Sequence, residues 1–133
     1  MDEPHNNIEI VKSLYEAFAA KEINKILDLL HENVEWGEPD NPYNPAGGTR
    51  HGHKGFLEWI AIGKKAEEVL ELHLERFLTD NNSVAVSGRM ICKALKTQKI
   101  YKSDFVHIVV IENKKIKKFQ EYFDTYIAGE AFK

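Results

Sequence analysis

This chain of 133 residues has little cysteine, no long apolar run and no excess of positive charge. Cys92 is the only cysteine, so no intrachain disulfide can form, and we expect a reducing, cytoplasmic setting. No apolar run reaches membrane-spanning length, and the amino terminus lacks the basic and apolar regions of a signal peptide. The net charge of -3 argues against nucleic acid or an anionic membrane as a partner, and a small apolar molecule fits better.

Motifs for cofactors and covalent catalysis are also missing. No glycine-rich phosphate loop follows a strand, no serine has a nucleophile-elbow context, and Cys92 has no basic neighbour on its strand face. His51 and His53 could bind a metal together with His31 or Glu38, but no second ligand pair accompanies them. Surface histidines are the simpler interpretation, so we predict neither a metal nor a cofactor.

The hydrophobic pattern predicts one α+β domain that spans residues 1–133. Apolar residues at spacings of three and four predict helices from Ile8 to Ala20, from Ile23 to Leu30, and from Gly55 to about Lys65. A strand with period-two alternation ends at Glu38, and a loop rich in proline and glycine follows through Gly48. Short links then join four strand candidates, residues 69–78, 83–95, 99–111 and 115–127, into an antiparallel meander.

Three of the predicted strands carry an ionisable group on an otherwise apolar face. They are Glu38 beside Val34 and Trp36, His107 between Phe105 and Val109, and Glu121 between Phe119 and Phe123. Burying an unpaired carboxylate costs several kcal/mol, so each must be exposed, paired or protonated. If the sheet curls, the three faces converge on one pocket suited to acid-base catalysis. The alternatives are a solvated Glu38 at a strand end and a hydrogen-bonded core histidine at position 107.

Three segments carry a family resemblance: VKSLYEAFAAKEINKILDLLHENVEWGEP, GGTRHGHKGFLEWI and FVHIVVIENKKIKKFQEYFDT. In order and spacing they resemble the nuclear transport factor 2-like (NTF2-like) superfamily, and within it the SnoaL-like polyketide cyclase and ketosteroid-isomerase-related group. The resemblance implies a cone-shaped, curved antiparallel sheet wrapped by three helices from the first half of the chain. The cone encloses an apolar pocket in that fold.

The resemblance also implies roles for single residues. Glu38, followed by Pro39, matches the aspartate base of the isomerases, and His107 matches the protonated aspartate of their oxyanion hole. The tyrosine of that hole matches Leu14, with Tyr15 one position further along the helix. Glu121 stands where the SnoaL-like cyclases carry an acid-base aspartate. The predicted catalytic set is Glu121, Glu38 and His107, and the predicted ligand contacts are Tyr15, Trp36, Trp59, Phe105, Phe119 and Phe123.

Two functions stay open at this point. The first is an acid-base enzyme of the isomerase, cyclase or lyase type, which moves a proton next to a carbonyl of a small cyclic or apolar substrate. Glu121 or Glu38 would be its base, and His107 and Tyr15 its candidate donors. The second is a non-catalytic module that binds a small ligand or a partner. A homodimer is expected in either case, because Val106, Ile108 and Val110 make the opposite face of the third meander strand apolar.

Overall fold

The computed structural model describes residues 4–133. The first half of the chain, where the apolar residues have helical periodicity, contains three helices. They are α1 (Pro4–Ala19), α2 (Ile23–Leu29) and α3 (Gly52–Ala66). Helix α3 begins three residues before the predicted start, at Gly52, whose φ of 71° a side chain would strain. In residues 4–133 none of the helices combines the length and apolarity needed to cross a membrane.

The sheet has six strands in the order β2-β1-β6-β5-β4-β3. The strands are β1 (Leu30–Glu38), β2 (Gly48–His51), β3 (Glu67–Asp80), β4 (Ser83–Ala94), β5 (Ile100–Glu112) and β6 (Lys115–Phe123). The predicted α+β class and the meander β3 to β6 are confirmed. Strand β2 was not predicted, and β1 runs parallel to β6, whereas the other neighbouring pairs are antiparallel.

The end of the chain departs from the prediction. The last strand was expected to continue to residue 127, but it stops at Phe123, and a fourth helix, α4 (Thr125–Phe132), follows. Asp124 caps this helix, because its side chain accepts a hydrogen bond of 3.0 Å from the backbone N–H of Ile127. The aromatic and β-branched residues on both sides of the cap, which are typical of strands, concealed the helix start.

The concave face of the sheet carries two apolar clusters. The larger packs α1, α2 and α3 against the strands and contains Trp36, Phe56 and Phe119 among its buried members. The smaller lies where α4 covers β4 and β5, and it contains Phe105 and Tyr101. Polar side chains on this face that lie between the two clusters therefore have apolar neighbours in both directions along the face.

Curvature comes from bulges and from one glycine. Strand β3 is irregular at two points along its pairing with β4, between Val69 and Glu71 and between Leu74 and Arg76. At Gly88 of β4 a Cβ would lie 2.1 Å from the carbonyl oxygen of His73 and 2.7 Å from the ring of Phe105. Only glycine allows β3 and this ring to approach so closely, and the strands bend around it.

Candidate active site

The three predicted ionisable groups form one row on the concave face. Trp36 pairs with Phe119 across β1 and β6, and their rings stack with centroids 4.0 Å apart. Glu38 and Glu121 each lie two residues further along these parallel strands, so both point to the same face and are neighbours. His107 of β5 pairs directly with Glu121. The fold thus brings together Glu38, Glu121 and His107, which the sequence separates by up to 83 positions.

A hydrogen-bonded relay connects this row to helix α1. The hydroxyl of Tyr15 lies 2.6 Å from Nδ1 of His107, and Nε2 of His107 lies 2.8 Å from Oε2 of Glu121. His107 is 5% exposed and stacks on Phe105 at 4.4 Å. When Glu121 is ionised and His107 is neutral, Nε2 donates to the carboxylate and Nδ1 accepts the proton of Tyr15.

The family match at Leu14 falls on a core position. Leu14 is fully buried in the larger cluster, and the next residue, Tyr15, reaches the site instead. Burial and the charge of Glu121 raise the pKa of Tyr15, so this hydroxyl stays protonated. Tyr15 therefore keeps its proton near neutral pH. It donates this proton to neutral His107 and can donate to another acceptor when His107 is protonated.

Glu38 is held by a separate set of donors. Its Oε2 accepts a hydrogen bond of 2.9 Å from Nδ2 of Asn44, and its Oε1 accepts one of 3.0 Å from Nε1 of Trp59. Glu38 is 7% exposed, and burial raises its pKa to about 7, with a smaller contribution from the charge of Glu121. The two donors oppose this shift only in part. At neutral pH the carboxyl group is thus divided between its acid and base forms.

The proline-rich loop positions one of these donors. Oδ1 of Asn44 accepts a hydrogen bond of 2.9 Å from the backbone N–H of Ala46, which fixes the side chain in the turn. Asn44 is itself only 4% exposed. Sequence analysis missed this residue. An asparagine between Pro42 and Pro45, six positions after the candidate Glu38, was a usable signal.

The six predicted aromatic contacts divide by burial. Trp36, Phe105 and Phe119 are at most 5% exposed and form the wall behind the ionisable row. The other three, Tyr15, Trp59 and Phe123, keep some exposed surface. Within residues 4–133 the buried Nε1 of Trp36 has no hydrogen-bond acceptor.

A further acidic group on the same face escaped the sequence analysis. The hydroxyl of Tyr101 donates a short hydrogen bond to Oε2 of Glu67, and Cys92 pairs with Tyr101 in the sheet. Burial raises the pKa of Glu67, and the charge of Glu121 raises it further, while the bond from Tyr101 lowers it. Tyr101 has even spacing from Phe105 and His107, which was the signal that it shares their face.

Two of the three histidines considered as metal ligands have local partners. The ring of His53 lies 3.1 Å from the carbonyl oxygen of Leu30, and Nδ1 of His31 accepts a bond of 3.0 Å from the backbone N–H of Asn33. Over the described part of the chain, no three His, Cys, Asp or Glu side chains are grouped so that they could hold a metal ion.

Residues 11–119 match the family model of the SnoaL-like domain, and the chain belongs to this family of the NTF2-like superfamily, as the resemblance predicted. An NTF2-like protein from Burkholderia xenovorans LB400 has the same fold, with a TM-score of 0.89, 98% of both chains covered and 23% identity. An NTF2-like protein of unknown function from Burkholderia pseudomallei K96243 has a TM-score of 0.86 and 27% identity, with 96% of this chain and 97% of that protein covered. TerC, co-crystallized with polyporic acid, has a TM-score of 0.86 and 28% identity, with 96% of this chain and 98% of TerC covered. No curated protein sequence matches the chain.

Proposed function

We propose that this protein is an acid-base enzyme that moves a proton next to a carbonyl group of a small cyclic or apolar substrate. One observation carries the proposal: Glu38, a buried carboxyl group with a pKa of about 7, shares a row with the relay Tyr15–His107–Glu121. Proton abstraction next to a carbonyl needs a base that is partly ionised at working pH and a donor for the enolate oxygen. The TerC structure supports a small organic ligand for this fold.

Glu38 is the better candidate for the base. Oε2 of Glu121 already accepts a hydrogen bond from His107, so Glu121 is suited to orient and stabilise the imidazole. Glu38 has no bond to the relay, and its two N–H donors leave lone pairs free on both carboxylate oxygens. In the proposed reaction Glu38 takes the proton from the carbon next to the carbonyl and returns it at the product carbon.

The relay would supply the donor for the oxygen. A protonated His107 donates from Nε2 to Glu121 and from Nδ1 to the oxygen of Tyr15. The hydroxyl proton of Tyr15 is then free to bind the carbonyl oxygen, where negative charge develops as the carbon loses its proton. Tyr15, His107 and Glu121 thus each keep a hydrogen bond whether His107 is neutral or protonated.

Deuterium exchange at the α-carbon of a panel of small cyclic ketones tests the proposal. Glu38→Gln should slow exchange by about a hundredfold or more, and Tyr15→Phe by roughly a hundredfold, while Glu32→Gln on the exposed part of β1 should match wild type. The wild-type rate should rise with pH through about pH 7 as Glu38 ionises.

Two outcomes would change the proposal. Loss of exchange in Glu121→Gln together with normal exchange in Glu38→Gln would make Glu121 the base. Wild-type exchange no faster than buffer for every ketone would reject the enzyme. The non-catalytic ligand-binding module would then be the function, with TerC as its supporting comparison.

We also propose a cytoplasmic homodimer that pairs through the convex face of the sheet. Val106 is 37% exposed there, beside the 55% exposed Tyr122 to which it is paired. An apolar, aromatic surface of this kind is typical of a subunit interface. Light scattering should give twice the chain mass of 15.3 kDa, and Val106→Lys should shift the protein toward the single-chain mass. A wild-type monomer at micromolar concentration would reject the dimer.

A further inference from the structure

The pair formed by Glu67 and Tyr101 has no part in the proposed proton transfer. Glu67 is the first residue of β3, directly after α3, whereas Tyr101 lies in β5, two strands away. Tyr101 is 4% exposed, and Glu67 keeps part of its surface exposed. The buried hydroxyl donates to Oε2 of Glu67, so Tyr101 holds the carboxyl group in place.

Both polar groups face the same interior. In a straight strand Tyr101 and His107 would lie about 20 Å apart. The bulges of β3 and the close packing at Gly88 bend the sheet between these two ends. The charge of Glu121 accordingly raises the pKa of Glu67, and the charge of Glu67 contributes to the raised pKa of Glu38.

Unfilled space adjoins Glu67. Gly63 lies one helical turn after Trp59, which binds Glu38, and one turn before Glu67. Apart from the adjacent residues and the backbone of its own helix, no atom lies within 4 Å of the position that a Cβ of Gly63 would occupy. Val69 and Leu72, on the concave side of β3, are 55% and 44% exposed. An apolar surface and an opening thus lie next to a fixed carboxyl group.

We propose that Glu67 and Tyr101 bind a second oxygen function of the substrate, so that the substrate is a cyclic compound with an apolar body and an oxygen at each end. Tyr101 and the thiol of Cys92 hydrogen-bond to Glu67, and the two carboxyl oxygens keep further lone pairs for the ligand. A ligand hydroxyl can donate to the ionised carboxyl group or accept from the protonated one, so it fits both states. The assignment of the first oxygen to Tyr15 rests on the proposed function.

Two matched probes test this inference, 2-tetralone and 6-hydroxy-2-tetralone, which differ only by a hydroxyl group on the ring remote from the ketone. Binding is followed by the fluorescence of Trp59 and Trp36. Wild type should bind the hydroxylated compound at least about tenfold more tightly, because a site built around a hydrogen bond disfavours the analogue that lacks it.

Variants then identify the residues responsible for this preference. Glu67→Leu should reduce the preference for the hydroxylated probe to nearly none, and Tyr101→Phe should reduce it severalfold. Glu67→Gln keeps a hydrogen-bonding group and should retain part of the preference, which a purely structural role would not predict. Glu68→Leu, at the exposed neighbouring position, is the control.

Equal binding of the two probes by wild type, or an unchanged preference in folded Glu67→Leu and Tyr101→Phe, would overturn the inference. Failure of both probes to bind would overturn it together with the proposed ketone substrate. The proposed function is judged separately by α-deuterium exchange of 2-tetralone. Discrimination between the probes, together with no exchange for any ketone of the panel, would support the second binding site and reject the enzyme. Exchange without discrimination would support the enzyme and reject the second site.

Discussion

Glu38 should make the stability of the protein depend on pH in a defined window. Burial raises the pKa of this carboxyl group from 4.5 to about 7, so the folded chain holds a proton that the unfolded chain releases between these values. The ionised form is penalised only in the fold, and the free energy of unfolding therefore falls as pH rises. Linkage gives a loss of about 2.5 kcal/mol between pH 5 and pH 8 from this group alone.

Urea unfolding of wild type and Glu38→Gln at these two pH values measures the effect. Glutamine cannot accept from both Asn44 and Trp59, so the variant should be less stable than wild type at pH 5. Between pH 5 and pH 8 the free energy of unfolding of the variant, relative to that of wild type, should rise by about 2.5 kcal/mol. Glu32→Gln should follow the wild-type profile. Parallel pH profiles for wild type and Glu38→Gln would refute the argument.

Three smaller changes test the fold around the site by thermal or urea unfolding. Gly88→Ala should cost at least about 2 kcal/mol, because the new Cβ meets the backbone of β3, and a neutral effect would contradict the close approach. Gly63→Ala should stabilise the protein by about 0.5–1 kcal/mol, since the helix gains a better residue and the site is open; destabilisation would show that the space is filled. Asp124→Ala should cost about 1 kcal/mol through loss of the α4 cap, and a loss below about 0.3 kcal/mol would remove that role.

Local pattern was enough to predict one face of the site. Alternation around Glu38, His107 and Glu121 predicted correctly that all three point to the concave side, because each lies in a regular stretch of its strand. Glu67 was missed because the strand was predicted to begin at residue 69, so this residue fell between the predicted helix and the predicted strand. Further along, β3 contains two bulges, and each extra residue reverses the alternation beyond it. The bond from Tyr15 could not be predicted either, because it depends on where α1 rests on the sheet.

The parallel pairing of β1 with β6 determines when the chain can complete its core. Strand β1 pairs with residues 116–120, more than 80 positions later, so most of β1 has to wait for the last strand to be synthesised. Until then Trp36 of β1 lacks its stacking partner Phe119, and the backbone groups that β6 will pair remain open to other strands. A ribosome-bound chain that stops before residue 115 should therefore need a chaperone, although α1, α2 and α3 are already present.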